Sequence, residues 1–438
     1  MLLNAADKAL WRLALPMIFS NITVPLLGLV DTAVIGHLDS PVYLGGVAVG
    51  ATATSFLFML LLFLRMSTTG LTAQAWGAKD PQRLARALVQ PLALALGAGV
   101  LIILLRLPLI DLALHIVGGS EAVLEQARRF LEIRWLSAPA SLANLVLLGW
   151  LLGVQYARAP VILLVVGNLL NIVLDLWLVM GLRMNVQGAA LATVTAEYAT
   201  LIIGLLMAKR VLTLRGVSLA MLKNAWRGDL RRLLALNRDI MLRSLLLQLC
   251  FGALTVFGAR LGSDIVAVNA VLMTMLTFTA YALDGFAYAV EAHSGQVYGA
   301  RDGSQLLEVW RAACRQSGMV ALAFALIYSL AGQYIIALLT SLPSLQQLAD
   351  RYLIWQTILP VVGVWCYLLD GMFIGATRGA EMRNSMAVAA AGFAVTLLTL
   401  PVLGNHGLWL ALAVFLALRG LSLALIWRRH WRRGTWFS

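Results

Sequence analysis

Gln74-Ala75-Trp76-Gly77-Ala78-Lys79-Asp80 returns 222 residues later as Gln296-Val297-Tyr298-Gly299-Ala300-Arg301-Asp302. Each copy closes the second of six apolar stretches in its half of the chain. Working outward at about the same shift, Gly149-x3-Gly153 returns as Gly371-x3-Gly375, Pro139 matches Pro360, and Leu13-Ala14-Leu15-Pro16 resembles Leu234-Ala235-Leu236-Asn237. Several matches sharing one register argue for an internal duplication over chance similarity between Gly/Ala-rich segments. The glycine pairs have a plain role: glycines four apart on a helix let another backbone come close.

The 438 residues are 61% hydrophobic and 12% charged, against roughly 25% charged in soluble domains, and the mean hydropathy is +0.87. This excludes a soluble globular protein. A helix crossing a bilayer needs about 20 apolar residues, and twelve stretches qualify: 11–35, 42–76, 87–106, 122–152, 158–180, 187–208, 233–259, 264–298, 312–336, 346–376, 384–403 and 406–427. Several exceed that length, so they tilt or project past the bilayer. The fold class that follows is an all-α polytopic membrane protein with twelve transmembrane helices. Six spans per half is an even number, which gives both halves one orientation. The expectation is two six-helix bundles related by a pseudo-twofold axis along the membrane normal. Residues 1–210 form the first bundle, 211–232 a basic cytoplasmic linker, and 233–438 the second bundle.

The formal charge of +13 could suggest nucleic-acid binding, but the basic residues sit in short gaps between apolar runs. Topology accounts for them better. Sorting the gaps alternately puts 22 of the 33 Lys and Arg on one side, seven on the other and four inside spans, so both termini face the cytoplasm by the positive-inside rule. Cys250, Cys314 and Cys366 lie in or beside apolar runs with no metal-binding spacing, which supports neither disulfides nor zinc. The N-terminal stretch lacks a small-residue cleavage site, so the first span should stay as a membrane helix. No HExxH, GxSxG or P-loop occurs, which argues against an enzyme and against direct ATP drive.

Ionisable groups inside spans are costly and functional by default. They are Asp31, Arg65, Asp175, Glu197, Asp284, Glu291 and Asp370. At about 1.5 Å rise per residue, Asp31 lies roughly 28 Å above Arg12 and Asp175 roughly 25 Å above Arg158, while Thr193 lies about 9 Å below Gln187. These three share one layer in the outward half. Asn171 precedes Asp175 by four residues and so shares its helix face. Asp31, Asn171, Asp175 and Thr193 can therefore converge in one pocket of the first bundle. Two carboxylates close together in low dielectric do not both ionise cheaply, which makes the pair a proton carrier. The same oxygens also suit Na⁺ as a metal ligand set. H⁺ is the expected coupling ion and Na⁺ the alternative. Pro25 and Pro16 each remove a helix hydrogen bond from the first span, candidate hinges beside Asp31. Asp284 and Glu291, seven apart on one face, lie with Asp370 toward the inner side, as candidates for substrate contact or for ion pairs with Arg243 or Arg65. Glu197 is a candidate relay whose partner the sequence does not name.

These residues resemble a known family. The duplicated six-span plan, Asp31 followed by Gly36-His37-Leu38, the Gln-x-x-Gly-Ala ends at Gln74 and Gln296, and Asn171-x3-Asp175 followed by Gly188-Ala189-Ala190-Leu191-Ala192-Thr193 are similar to the multidrug and toxic compound extrusion (MATE) transporters. Leu283-Asp284-Gly285-Phe286-Ala287 resembles the DinF branch of that family. The resemblance covers essentially the whole chain. It implies a twelve-helix antiporter of the cell inner membrane that expels amphipathic, often cationic small molecules in exchange for H⁺ or Na⁺, with no cofactor and no nucleic-acid partner, acting as a monomer in the lipid bilayer. It also implies that Asp31, Asn171, Asp175 and Thr193 form the cation-coupling site. The chain departs from the branch in its fourth span, where a deeper asparagine is usual and Leu145–Leu148 is apolar with Asn144 upstream. A flippase for a lipid-linked precursor is the competing reading. It would need Arg and Lys lining its cavity to hold a pyrophosphate, whereas the candidates in the first half are acidic and Arg65 is the mid-span cation there.

Overall fold

The computed structural model describes residues 3–35, 40–228 and 230–438, and for residues 23–33 the backbone alone. Every regular element among them is helical. In chain order they are α1 (Ala5–Ile35), α2 (Pro41–Leu60), α3 (Phe63–Gly77), α4 (Pro81–Leu104), α5 (Arg106–Val117), α6 (Glu121–Arg134), α7 (Ala138–Gly153), α8 (Arg158–Asp175) and α9 (Asn185–Leu214). There follow α10 (Leu219–Asn224), α11 (Leu230–Arg260), α12 (Ser263–Ala300), α13 (Gly303–Leu339), α14 (Pro343–Gly375), α15 (Gly379–Thr396), α16 (Leu400–Leu403) and α17 (Asn405–Arg433). Eleven helical segments among the described residues are long and apolar enough to cross a bilayer. With α1, which at 31 residues is about 46 Å long, the twelve expected spans are accounted for. Residues such as Leu104, Leu338 and Val402 are 74 to 86% exposed, a surface that only lipid would cover without penalty.

Helices run past the apolar stretches at many ends, because a helix continues through charged residues beyond the hydrocarbon as long as its backbone is satisfied. Two features escaped the sequence reading. The gap after Arg106 folds as α5, and the second span is broken at Leu61–Leu62 between α2 and α3, with no Pro or Gly to announce it.

The duplication is visible at the level of single hydrogen bonds. At the end of α3, Lys79 takes a left-handed φ of 53°, and at the end of α12 Arg301 takes 55°. The next backbone N–H reaches back five residues in both copies, Asp80 to the Ala75 carbonyl at 3.2 Å and Asp302 to the Val297 carbonyl at 3.3 Å. That is the Schellman closure of a helix end. Each aspartate then caps the following helix, Asp80 accepting from the Gln82 and Arg83 amides and Asp302 from the Gln305 amide. A second pair of turns, at Gln155 (φ 62°) and Thr377 (φ 54°), repeats at the same shift.

The glycine pairs carry the repeat into packing. A Cβ on Gly149 would lie 2.6 Å from the Arg65 carbonyl of α3, and one on Gly371 would lie 2.7 Å from the Ala287 carbonyl of α12. Gly153 and Gly375 would likewise meet the Thr69 and Glu291 carbonyls, each at 3.0 Å. All four backbone neighbours are related by the 222-residue shift. Thus α7 seats on α3 as α14 seats on α12.

By contacts the chain forms two compact units, Phe19–Leu234 and Met1–Ile18 with Ala235–Ser438. The beginning of α1, expected with residues 1–210, packs with the second unit. There Trp11 Nε1 donates to Gln316 Oε1 at 2.9 Å, Arg315 meets Asp7 at 3.0 Å, and the Trp11 ring stands edge-on to Phe286. Residues 211–232, expected as a linker, belong by contacts to the first unit. The helix α1 is continuous through both Pro16 and Pro25; the Pro25 side chain lies outside the described residues.

Candidate functional site

The first unit gathers the polar residues of α8 and α9. Asn171 and Asp175 occupy one face of α8, 1% and 0% exposed, and Thr193 of α9 is buried too. Thr193 Oγ1 lies 3.5 Å from Asn171 Oδ1 and donates to its own helix at the Ala189 carbonyl, 3.2 Å away. The Asn171 amide nitrogen is fully enclosed with no hydrogen-bond partner among the described residues. A buried donor left open costs on the order of 1–3 kcal/mol. The Asp31 side chain, expected in the same pocket, lies outside the described residues.

Local sequence explains how α8 and α9 come so close. Immediately after Asp175 the helix widens into a π-helical turn over Leu176–Gly181, where Leu182 N bonds Trp177 O at 2.9 Å. Such turns concentrate at functional sites. A Cβ on Gly188 would stand 3.1 Å from the Leu178 backbone, so only glycine lets α9 lie against that turn. Ala189, Ala190 and Ala192 are at most 1% exposed, and their small side chains continue the approach toward Thr193. The Gly188-to-Thr193 run is thus a packing surface that ends in a hydroxyl.

One turn further along α9, Glu197 has the partners that sequence reasoning did not supply. Its carboxylate accepts from Ser141 Oγ at 3.1 Å and Asn144 Nδ2 at 3.2 Å, with Arg134 at 4.0 Å. Asn144 Nδ2 also reaches the Glu197 carbonyl at 3.1 Å. Ser137 extends the chain of contacts, 3.2 Å from Ser141 Oγ. A signal was available, since Ser137, Ser141 and Asn144 recur at the four- and three-residue steps that share a helix face. Asn144, the odd residue of the fourth span, is thereby accounted for.

The second unit treats its acids differently. Asp370 of α14 is clamped by two guanidiniums, Arg243 Nη2 of α11 at 2.6 Å and Arg419 of α17. All three residues are at most 7% exposed. Arg243 is among the partners expected for Asp370. Arg65, in the first unit, donates to Thr69 Oγ1 at 3.2 Å. Glu291 is buried on α12 and Asp284, two turns earlier on the same face, is half-buried.

Comparison with known proteins agrees with this architecture. The MatE family profile matches the chain twice, over residues 16–177 and 240–403, one copy in each half. DNA damage-inducible protein F of Escherichia coli (strain K12) is 87% identical over 436 residues, covering 100% of this chain and 95% of that protein. A probable multidrug resistance protein NorM of Acinetobacter baylyi is 23% identical over 96% of this chain and 94% of its own length. An outward-facing multidrug resistance MATE family transporter of the MOP superfamily shares the fold, with a TM-score of 0.85, 23% identity, and coverage of 98% of this chain and 96% of that one. Duplicated helical units, a buried polar cluster in the membrane and matches to that profile in both halves lead to one conclusion: this chain belongs to the MatE family of membrane transporters and is not an enzyme.

Proposed function

We propose that the protein is a secondary active antiporter that exports amphipathic, often cationic compounds in exchange for H⁺, with Na⁺ as the alternative ion, by alternating access. The observation that carries this reading is the buried Asn171–Thr193 contact beside Asp175, a set of oxygens in a lipid-spanning helix pair. With Asp31 added from α1, two carboxylates in low dielectric would share a proton and exchange it for a cationic substrate competing for the same negative charge. Carboxylate, amide and hydroxyl oxygens would equally serve a hard cation. Pro16 and Pro25 would let α1 bend as Asp31 titrates. Glu197 would hand protons along α9, and Asp284 and Glu291 would contact substrate within the second unit. The protein would work as a monomer in the cell inner membrane with both termini cytoplasmic, and a reporter fused after Arg433 should read cytoplasmic.

The flippase reading would need cations open to a pyrophosphate. Arg243 and Arg419, two of the three mid-span cations of the second unit, are turned onto Asp370 instead, and the third, Arg238, meets Asp239, which favours the antiporter.

The test is substrate-stimulated proton or sodium flux in proteoliposomes. Asp31→Asn and Asp175→Asn should each abolish coupled efflux while the protein stays inserted and folded. Wild-type flux from the double variant would reject the coupling site. Affinity for a permanently cationic dye should fall as pH drops through the pair's titration. If affinity stays flat with pH but drops on adding Na⁺, the ion is sodium.

A further inference from the structure

Away from the Asn171–Thr193 cluster, the first unit holds a second concavity where α3, α4 and the start of α11 meet. Three arginines line it, Arg83 and Arg86 from the first two turns of α4 and Arg232 from α11, together with Gln90. The rest of its wall is apolar, including Leu71 and Leu233. The backbone at Trp226 and Gly228 closes one side. Gln90 Nε2 donates to the Trp226 carbonyl at 3.2 Å and to the Gly228 carbonyl at 2.6 Å. A Cβ on Gly228 would lie 3.4 Å from Arg86 Nη2, so the backbone of this segment runs directly along that guanidinium. Arg232 Nη2 donates to Gln74 Oε1 at 3.2 Å.

We infer that this pocket is a binding site for the phosphodiester headgroup of an anionic phospholipid. Guanidiniums present paired N–H donors that match phosphate oxygens, which is why arginine is favoured for such sites. The cavity measures about 40 Å³, room for roughly three waters. That fits a phosphate group. Its position supports a lipid as the source of the phosphate. The apolar run of α4 begins at Ala87, directly after Arg86, so the guanidiniums stand where hydrocarbon gives way to headgroups. Trp226 beside the pocket is 60% exposed, as expected of a ring lying at a membrane interface. The surrounding sequence is strongly basic, with Lys79, Arg83, Arg86, Arg227, Arg231 and Arg232 against Asp80 and Asp229. Asp80 is engaged in capping α4. Basic pockets between transmembrane helices on the positively charged side are a recurrent form of headgroup recognition. A lipid held here would tie α4 to the segment that joins the two halves of the chain, and would make the stability of that junction depend on membrane composition.

The experiment uses the full-length protein in detergent, exchanged to remove native lipid and then offered phosphatidylglycerol, phosphatidylcholine or inorganic phosphate. Native mass spectrometry reads retained lipid, and thermal unfolding reads protection. Wild type should retain phosphatidylglycerol and melt higher in its presence, with little response to phosphatidylcholine. Replacing Arg83, Arg86 and Arg232 together by Gln should weaken retention by about fivefold per arginine, roughly a hundredfold in all. The same charge loss at Arg428, Arg429 and Arg433 should change retention by less than about threefold. Should the triple variant fold poorly, Arg232→Glu, at an exposed position, reverses one charge and should still cut retention about tenfold or more. Unchanged retention in both pocket variants overturns the site. Equal retention of phosphatidylcholine overturns its anion selectivity, and full protection by inorganic phosphate alone makes it a free-phosphate site and overturns the lipid assignment.

Discussion

Asp370→Asn is the most informative single substitution in the second unit. The wild-type carboxylate sits between Arg243 Nη2, at 2.6 Å, and Arg419, with side-chain exposures of 10%, 8% and 5% in turn. Removing its charge leaves two guanidiniums buried in one enclosure. Breaking a buried ion pair costs about 3–5 kcal/mol because the surviving charge stays desolvated. Two surviving cations put the cost near the upper end, and the asparagine oxygen, still able to accept one hydrogen bond, returns about 1 kcal/mol. The expected loss is therefore about 4 kcal/mol. Either arginine changed alone to Met leaves a one-to-one pair and should cost clearly less. Converting the set together, Arg243→Met, Asp370→Leu and Arg419→Met, should recover much of the loss, since apolar replacement of a whole buried ion cluster is often neutral or better. The assay is reversible denaturant unfolding in mixed micelles, with all variants checked for membrane insertion. A cost for Asp370→Asn below about 1 kcal/mol, or an arginine variant costing more than the aspartate variant, would refute this reasoning.

The paired glycines offer a test of the duplication: Gly149→Ala and Gly371→Ala each drive a methyl into a carbonyl, at 2.6 Å and 2.7 Å, and each should lose about 1–3 kcal/mol in thermal or denaturant unfolding, whereas Gly318→Ala, with open space around it, should be tolerated. Glu197→Ala strands Ser141 and Asn144 and should cost about 1–3 kcal/mol; Glu197→Gln keeps an acceptor for both and should cost less, so equal losses would dismiss the hydrogen-bonded role. Asp302 is held below the ordinary carboxylate range by the Gln305 amide first and the Ser304 hydroxyl second, so its capping contribution is present above about pH 4 and fades as pH falls through the lowered folded value. The melting-temperature gap between wild type and Asp302→Ala should accordingly be open at neutral pH and close in acid.

Much of the architecture was legible because lipid imposes a simple code. A span must be apolar for about 20 residues, and the duplicated motifs mark the same turn in each half. What was illegible was local or long-range. The break at Leu61–Leu62 carries no Gly or Pro, and α5 is too short and too mixed to stand out from a loop. The partners of Glu197 lie 53 to 63 positions away in sequence, and the Arg419 clamp on Asp370 joins helices that no spacing rule relates. Depth arithmetic put Asp175 and Thr193 in one layer and helix periodicity put Asn171 on the face of Asp175, but the closeness of Asn171 to Thr193 depends on Gly188 against the π-helical turn, a backbone event without a residue signature.

The two halves have kept one packing scheme and parted in their electrostatics. Arg65 and Ala287 offer equivalent carbonyls to equivalent glycines, and Lys79 and Arg301 make the same turn, so the scaffold has been held by close backbone contact that tolerates little change. Side chains away from those contacts were free to diverge. In the second unit the buried acid Asp370 is answered by two guanidiniums, Arg243 of α11 and Arg419 of α17. In the first unit the Asn171–Thr193 contact is made by an amide and a hydroxyl, groups that carry no formal charge. That difference, more than the presence of acids as such, is the physical ground for proposing that ion coupling resides in the first unit while Asp370 serves to lock α11, α14 and α17 together.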